Sequence, residues 1–506
     1  MEPVAVVEIG STGIRLIVAE IYDDGNWKVL DRIGKPVALG RDAFNSGQVS
    51  RESLLECITV LKNYREFLKG WNIDDINIHV IATSALRVAR NRDMFADRVF
   101  LETGFKVNIV EGIEENRLMY LAVRFALKND LPLFWKANSM ILEMGGGSTE
   151  IMLLRRGQMV AAHSLRLGTI LIDQAVRYGT SWMEDRYLTE NLRNASDILG
   201  AEMELAHVRT FVVSGSDVRI TAAQVGQKLN ENCTTISRET FVSFADRVQH
   251  YSVEECIEKL QINFAEAKFF IPGILVYRYL LERTGAAQVV VPNVSIREGL
   301  LIDLAVGGDS ALREDFYSQT IASAANLGRK YHYDESHHRH VANFCLVLFD
   351  SLVREHGMNR RERMLLEAAA MLHDVGMFIR ASGHQLHGQY IVANSDVFGL
   401  HRGEMTLIAN IIRYHRKDLP NPEDINFIAL QPHERILLLK MAAILRVADA
   451  LDRGHSMQIK KITLERKSES LILHTEGNRD LSLELIGLEE KANMFQDVFG
   501  YKIILD

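Results

Sequence analysis

Hydrophobic positions along this chain follow two rhythms: short apolar runs alternating with helical spacings, then a stretch that is almost wholly helical. Val4 to Ile9 forms a short apolar run that stops at Gly10, and Ile14 to Glu20 forms a second. Both predict strands, and Asp23-Asp24-Gly25-Asn26 predicts the turn after them. Ser50 to Leu68 carries apolar residues at helical intervals (Leu54, Leu55, Ile58, Leu61, Leu68), with Ser50 placed to cap the first turn. Ile76 to Ala82 and Val107 to Val110 read as further strands, and Glu114 to Leu127 as a helix. Then the opening recurs. Met140 to Met144 is an apolar strand, Gly145-Gly146-Gly147-Ser148-Thr149 a turn, and Ile151 to Leu154 the returning strand.

The two openings share one plan. Val6-Val7-Glu8-Ile9-Gly10-Ser11-Thr12 and Ile141-Leu142-Glu143-Met144-Gly145-Gly146-Gly147-Ser148-Thr149 each set an acid in a buried strand, followed by a glycine turn with hydroxyls. The repetition predicts a duplicated α/β unit, residues 1–127 and 128–305, with a cleft between its halves. At Gly307-Gly308-Asp309 the texture changes, and residues 306–456 are mostly helical, with histidines threaded through them. From Ile459 alternation returns (Ile462, Leu464; Leu471, Leu473; Leu481, Leu483, Leu485). That predicts a small α+β domain over 457–506, its strands at those positions and one helix near Glu489 to Val498.

At 506 residues the chain is long enough for several domains. Hydrophobic residues make up 47% and charged residues 25%, a globular balance that excludes disordered and collagen-like classes. The formal net charge of −8 argues against a nucleic-acid partner. It also means that a polyanion must be met by local arginines, lysines and backbone N–H groups. The basic runs Arg354 to Arg363 and Lys460 to Lys467 read as solvated faces. Cys57, Cys233, Cys256 and Cys345 are far apart with no CxxC pair, as free thiols of a reducing compartment would be. With neither a signal-peptide pattern nor about 18 consecutive apolar residues, a cytoplasmic protein without membrane contact is expected.

Glycine turns between strands leave backbone N–H groups unshielded, and neighbouring hydroxyls add donors, so the paired turns are candidates to cradle phosphate. Between them, Ala82-Thr83-Ser84-Ala85-Leu86-Arg87 ends a strand, and Arg87 offers a guanidinium fork to a phosphate. Val110-Glu111-Gly112-Ile113-Glu114-Glu115-Asn116-Arg117 hands a strand over to a helix. Acids in such a first turn serve equally well as partners of the helix dipole.

Together, Glu8 to Leu16, Ala82 to Asn91, Val110 to Leu118, Leu142 to Glu150 and Val294 to Leu300 (Val-Ser-Ile-Arg-Glu-Gly-Leu) resemble the exopolyphosphatase and guanosine pentaphosphate phosphatase family in order and spacing. The resemblance covers essentially the whole chain. It implies an actin-like, sugar-kinase-like fold, with lobe I at 1–127, lobe II at 128–305 and the active site between them. By the same resemblance Glu115 is the general base that orients a water, and Glu8 and Glu143 are catalytic acids that hold Mg²⁺ directly or through water. Phosphate binding is implied for Ser11, Thr12, Arg87, Gly145, Gly146, Gly147, Ser148 and Thr149, and homodimerisation for the chain. Two features depart from the family pattern: Glu8 and Glu143 replace the usual Asp, and Ser11-Thr12-Gly13 replaces Ser-Asn-Ser. Each Glu keeps the charge and reaches one methylene further, and retained activity is the expectation.

The helical region carries His337, His373-Asp374, His387, His415 and Asp449, with His384 competing with His387. Imidazole and carboxylate on facing helices can hold a divalent cation and activate water. The ordered set resembles the HD phosphohydrolase superfamily and the third domain of longer exopolyphosphatases. That implies a second divalent metal, serving a second active centre, a structural site or a scaffold that widens a polyanion channel. Three functional readings follow. The first is an Mg²⁺-dependent exopolyphosphatase acting on inorganic polyphosphate or guanosine pentaphosphate in the N-terminal cleft. The second is a nucleotide phosphohydrolase centred on the HD-type domain, and the third a polyphosphate or alarmone sensor with weak turnover.

Overall fold

Ala5, Val7, Leu16 and Val18 fill the core on one face of the first hairpin, while Val4, Val6, Ile17 and Ala19 are buried on the other. That double burial is why β1 (Glu2–Ile9) and β2 (Gly13–Ile21) read as near-continuous apolar runs. The computed structural model describes the chain apart from residues 1, 23–25, 128–135, 179–180, 306–309, 417–418 and 478–479. The turn expected at Asp23-Asp24-Gly25 and the boundary at Gly307-Gly308-Asp309 therefore lie outside the described residues.

β3 (Trp27–Pro36), β4 (Ile78–Ala82) and β5 (Val107–Ile109) complete a five-stranded sheet of order β3-β2-β1-β4-β5. Its β3-β2-β1 side is antiparallel and its β1-β4-β5 side parallel. The second sheet contains β6 (Ser139–Met144), β7 (Thr149–Arg155), β8 (Gln158–Leu165), β9 (Thr210–Ser214), β10 (Gln227–Asn230), β11 (Cys233–Ser237) and β12 (Gln288–Pro292). Its core order, β8-β7-β6-β9-β12, repeats the first sheet in order and sense of pairing, and β11 and β10 add antiparallel strands at one edge. The doubled opening in the sequence is thus a doubled sheet.

Each lobe lends a helix to the other. Helix Gly112–Leu127 follows β5 yet lies against the second sheet, where Asn116 Nδ2 donates to the His163 carbonyl at 3.3 Å and to Glu150 at 3.2 Å. Helix Ile296–Ala305 follows β12 yet buries Leu301 with Val4, Val6 and Ile17 of the first sheet. The two helices meet each other and are clamped by Arg117, which pairs bidentately with Asp303 at 2.7 and 2.8 Å.

The chain forms two compact units, residues 1–315 and 316–506, so the first extends ten residues past the expected boundary at 305. Asp315 stays with the first unit through Tyr120 and Arg124. In the second, helices Glu335–Ser351, Arg360–Leu372, Arg402–Arg413 and Pro432–Ala450 enclose one core. β13 (Ile459–Lys467), β14 (Ser470–Gly477) and β15 (Lys502–Leu505) form a sheet whose Ile459, Ile462, Leu471 and Leu473 join that same core. Residues 457–506 therefore share a core with the helices and do not enclose one of their own.

The strand expected at Leu481, Leu483 and Leu485 is instead helix Ser482–Lys491, and the third strand is β15. That helix buries Glu484, Gly487, Leu488 and Lys491 and leaves Leu483 55% exposed, because Lys491 pairs with buried Asp449. A tertiary ion pair chose the face, against the leucine pattern. The single helix expected at Glu489 to Val498 is split at Ala492, with a second piece at Asn493–Phe499. All four cysteines are buried and free. No helix among the described residues is long and apolar enough to cross a membrane.

Candidate active site

β1 and β6 end in four-residue turns closed the same way. Gly10 donates its N–H to the Gly13 carbonyl at 2.9 Å, and Gly145 to the Ser148 carbonyl at 2.8 Å. The turns abut across the lobes: a Cβ on Gly146 would lie 2.9 Å from Ser11 Cβ, so only glycine admits this approach. Ser11 in turn shares a 3.0 Å hydrogen bond with Ser84, at the end of β4. Between the lobes lies a cavity of about 380 Å³.

Glu8, Glu115 and Glu143 line it, as do Ser11 and Thr12 from the first turn and Gly145, Gly146 and Ser148 from the second. Arg87, Gly147 and Thr149 are not among the lining residues. Arg87 Nη1 bonds to Glu115 and to the Val110 carbonyl (2.9 Å), and its Nη2 lies 3.4 Å from Ser148 Oγ, so it holds the carboxylate beside the turn. Gly147 is packed against the Phe44 ring. Thr149 is fully buried and spends its hydroxyl on the Leu167 carbonyl.

Glu115 sits in the first turn of helix Gly112–Leu127 and is 7% exposed. Burial pushes its carboxyl up from the ordinary range, against the pull of Arg87. Burial, with the charges of Glu115 and Glu8, pushes Glu143 up to about 8. Arg219 and Arg297 offset that push on Glu143 only in part.

The sequence reading missed the cleft's arginines. Arg297 Nε lies 3.1 Å from Glu8 and Arg15 Nη1 3.6 Å from the same carboxylate, while Arg219 lines the cavity near Glu143. Arg297 stands inside the Val294 to Leu300 motif. Arg219 follows Phe211-Val212-Val213-Ser214-Gly215-Ser216, a third run of apolar strand, glycine and hydroxyl that would have flagged this loop.

Asp217, in the first turn of helix Ser216–Val225 that also carries Arg219, is 5% exposed, and burial pushes its carboxyl up from 3.8 to about 7. A pKa raised by folding gives stability that is complete below the unfolded value and lost as pH rises through the folded one. Asp217→Asn is therefore expected to leave stability unchanged near pH 4. By pH 8 it should raise stability by on the order of a few kcal/mol. Thermal unfolding at the two pH values checks this, and equal midpoint shifts would contradict it.

In the second unit His337, His373 and Asp449 converge, and Asp374 meets His384 and His415. His384 takes the place expected for His387, which is half-buried and outside the cluster. The cause is packing. Helix His384–Ala393 sets its first turn against Gly376, where a Cβ would lie 2.0 Å from the His384 carbonyl, so its first residue faces Asp374.

The fold and cleft described above are those of an actin-like phosphatase. Residues 17–306 match the Ppx/GppA phosphatase family and residues 320–492 its domain III, and the chain belongs to that family of phosphoanhydride hydrolases. Its relatives include the guanosine-5'-triphosphate,3'-diphosphate pyrophosphatase of Photobacterium profundum, 25% identical over 518 residues that cover 99% of this chain and 97% of the relative. The enzyme of the same description from Aliivibrio fischeri is 24% identical over 484 residues, 94% of this chain and 91% of the relative. Among solved structures, an exopolyphosphatase from Cytophaga hutchinsonii has the same fold with a TM-score of 0.52 at 19% identity, covering 60% of this chain and 98% of its own. The Aquifex aeolicus family member gives 0.50 at 23% identity, over 61% and 99%.

Proposed function

We propose that this enzyme releases orthophosphate from the end of inorganic polyphosphate, or from guanosine pentaphosphate, by attack of water in the cleft between the lobes. The observation that carries the reading is the buried Glu115 beside two abutting glycine turns of identical closure. The turns offer N–H groups and hydroxyls to a terminal phosphoryl group, and Glu115 orients the water and takes its proton. Arg15, Arg219 and Arg297 supply the positive charge that the chain as a whole lacks. The descriptions of the relatives, pyrophosphatase and exopolyphosphatase, agree with this chemistry.

Glu8 and Glu143 present the carboxylate oxygens that a hard dication prefers, and the like charges crowding Glu143 suit one. Mg²⁺ bound there would neutralise charge on the phosphates, while retaining waters that bridge to the protein. The additional methylene of Glu8 accompanies its pairing with Arg297 and supports a working loop.

The test is orthophosphate release with Mg²⁺ from long-chain polyphosphate and from guanosine pentaphosphate, by the native chain and by His373→Ala/Asp374→Ala. Release from at least one substrate by both proteins is expected. Loss confined to the double variant would move the chemistry to the second unit, and no release by either protein would leave binding without turnover.

A further inference from the structure

Asp217 takes no part in the proposed attack on phosphate, yet it is buried in the wall of the cleft cavity. Among the described residues its carboxylate takes one hydrogen bond, from Ser216 Oγ at 3.3 Å. Arg219 pulls on it only through space, and Glu266 opposes that pull. Helix Phe264–Arg283 makes room for the acid with a glycine: a Cβ on Gly273 would lie 2.3 Å from Asp217 Oδ2. A glycine inside a helix and a buried carboxylate without a counter-ion both weaken a fold. Neither serves packing, so the reason for Asp217 lies in what the cavity binds.

The cations that line the cavity are Arg15, Lys35, Arg219 and Arg297. Helix Phe264–Arg283 and its cap bring Asn263, Ala265, Glu266 and Phe269 to the lining, and no cation. Asn263 and Glu266 are spent on each other: Glu266 accepts from Asn263 Nδ2 at 2.7 Å, and Asn263 Oδ1 accepts from the Glu266 N–H at 3.0 Å. Lys268 Nζ sits 4.7 Å over the Phe269 ring and pairs with Asp173 at 3.6 Å. What this wall offers a ligand is therefore the Asp217 carboxylate and the aromatic surface of Phe269. A polyphosphate chain carries negative charge on every residue and is repelled by such a wall. A flat heterocycle with N–H donors on its edge suits it, stacking on the ring and donating to the carboxylate. Guanine presents two adjacent donors, N1–H and the N2 amino group. Adenine sets an acceptor, N1, beside its single amino group.

We propose that Asp217 and Phe269 form a guanine subsite, Asp217 accepting from the edge of the base and Phe269 stacking on its face. Asp217 is then the residue that sets preference between guanosine pentaphosphate and polyphosphate. The proposal rests on the cleft reading for the place of the phosphates and narrows it to the nucleotide.

The experiment compares the native chain with Asp217→Asn and Phe269→Leu on guanosine pentaphosphate, its adenosine counterpart and long-chain polyphosphate. Asp217→Asn removes a buried charge and keeps the shape of the side chain, so the variant folds. It should raise KM for guanosine pentaphosphate by about 10–10²-fold, the worth of a bidentate base contact, and should not raise KM for polyphosphate. Phe269→Leu should act in the same direction. The adenosine counterpart should be the poorer substrate of the native chain and nearly indifferent to Asp217→Asn. Calorimetric binding of guanosine pentaphosphate without Mg²⁺ repeats the comparison independently of turnover. KM rising equally for guanosine pentaphosphate and polyphosphate, or equal affinity of native and Asp217→Asn chains for the nucleotide, would overturn the subsite. Equal sensitivity of the adenosine counterpart would move the contact to the ribose and overturn the base reading. If the nucleotide binds through Asp217 while the native chain releases phosphate from neither substrate, the subsite stands and the cleft chemistry falls.

Discussion

Glu115→Gln is expected to lower the rate of phosphate release by about 10²–10⁴-fold, the usual worth of a positioned general base. The amide keeps the shape of the side chain but takes no proton from water. It also keeps an acceptor for Arg87, which remains bonded to the Val110 carbonyl and lies 3.7 Å from Glu150, so the arginine is not stranded without counter-charge. The loss should therefore fall on kcat, with KM little changed, because the turns proposed to cradle phosphate are untouched. The sign with pH follows from burial: a base whose carboxyl is pushed up loses activity on acidification at a higher pH than an ordinary carboxylate would. Steady-state and single-turnover release from whichever substrate the native enzyme cleaves would measure both effects. A variant within a few-fold of native kcat would remove Glu115 from the chemistry and send the search to Glu143 or Glu150.

What the sequence conveyed was the part of the structure set locally or by repetition. Ser50 caps its helix as read, its hydroxyl accepting from Ser53 N at 3.2 Å. The two strand–acid–glycine openings became the central hairpins of two sheets with the same strand order. The parts it misjudged were decided by contacts between distant segments. Leu481, Leu483 and Leu485 alternate as a strand would, yet Lys491 pairs with Asp449 in a helix that leaves Leu483 and Leu485 outward. His384 and His387 stand three residues apart near one helical face, and the approach of Gly376 chose between them. Arg15, Arg219 and Arg297 come from three separate elements, and only folding shows that they share the cleft. Thr149 looked like a phosphate ligand because it continues the glycine turn that lines the cleft; the hairpin turns it inward to Leu167.

Gly299→Ala should be strongly damaging for a single methyl group in the first unit. A Cβ at Gly299 would lie 2.0 Å from the Leu118 carbonyl oxygen and 2.6 Å from its carbon, backbone that cannot rotate away. Helices Gly112–Leu127 and Ile296–Ala305 are locked at that point by the Arg117–Asp303 pair, so relief requires sliding one helix on the other. Overpacking of this kind costs roughly 1–3 kcal/mol. It must also outweigh the intrinsic helical advantage of Ala over Gly, about 1 kcal/mol. Gly200 separates the two terms, because a Cβ there meets nothing within 4 Å, in the last turns of helix Ser181–Glu202. Gly200→Ala should stabilise the chain slightly, while Gly299→Ala destabilises it. The activity consequence is larger than the stability one. Glu115 lies one turn before Leu118, and Arg297 two residues before Gly299, so any slide displaces the proposed base and the arginine paired with Glu8. A displacement of about 1 Å at such groups costs on the order of 10²-fold in rate. Thermal unfolding and release kinetics on both variants would test this. If Gly299→Ala proved as stable and as active as the native chain, the helix contact would be looser than it is drawn. The glycine of the Val294 to Leu300 motif would then need a reason other than close approach.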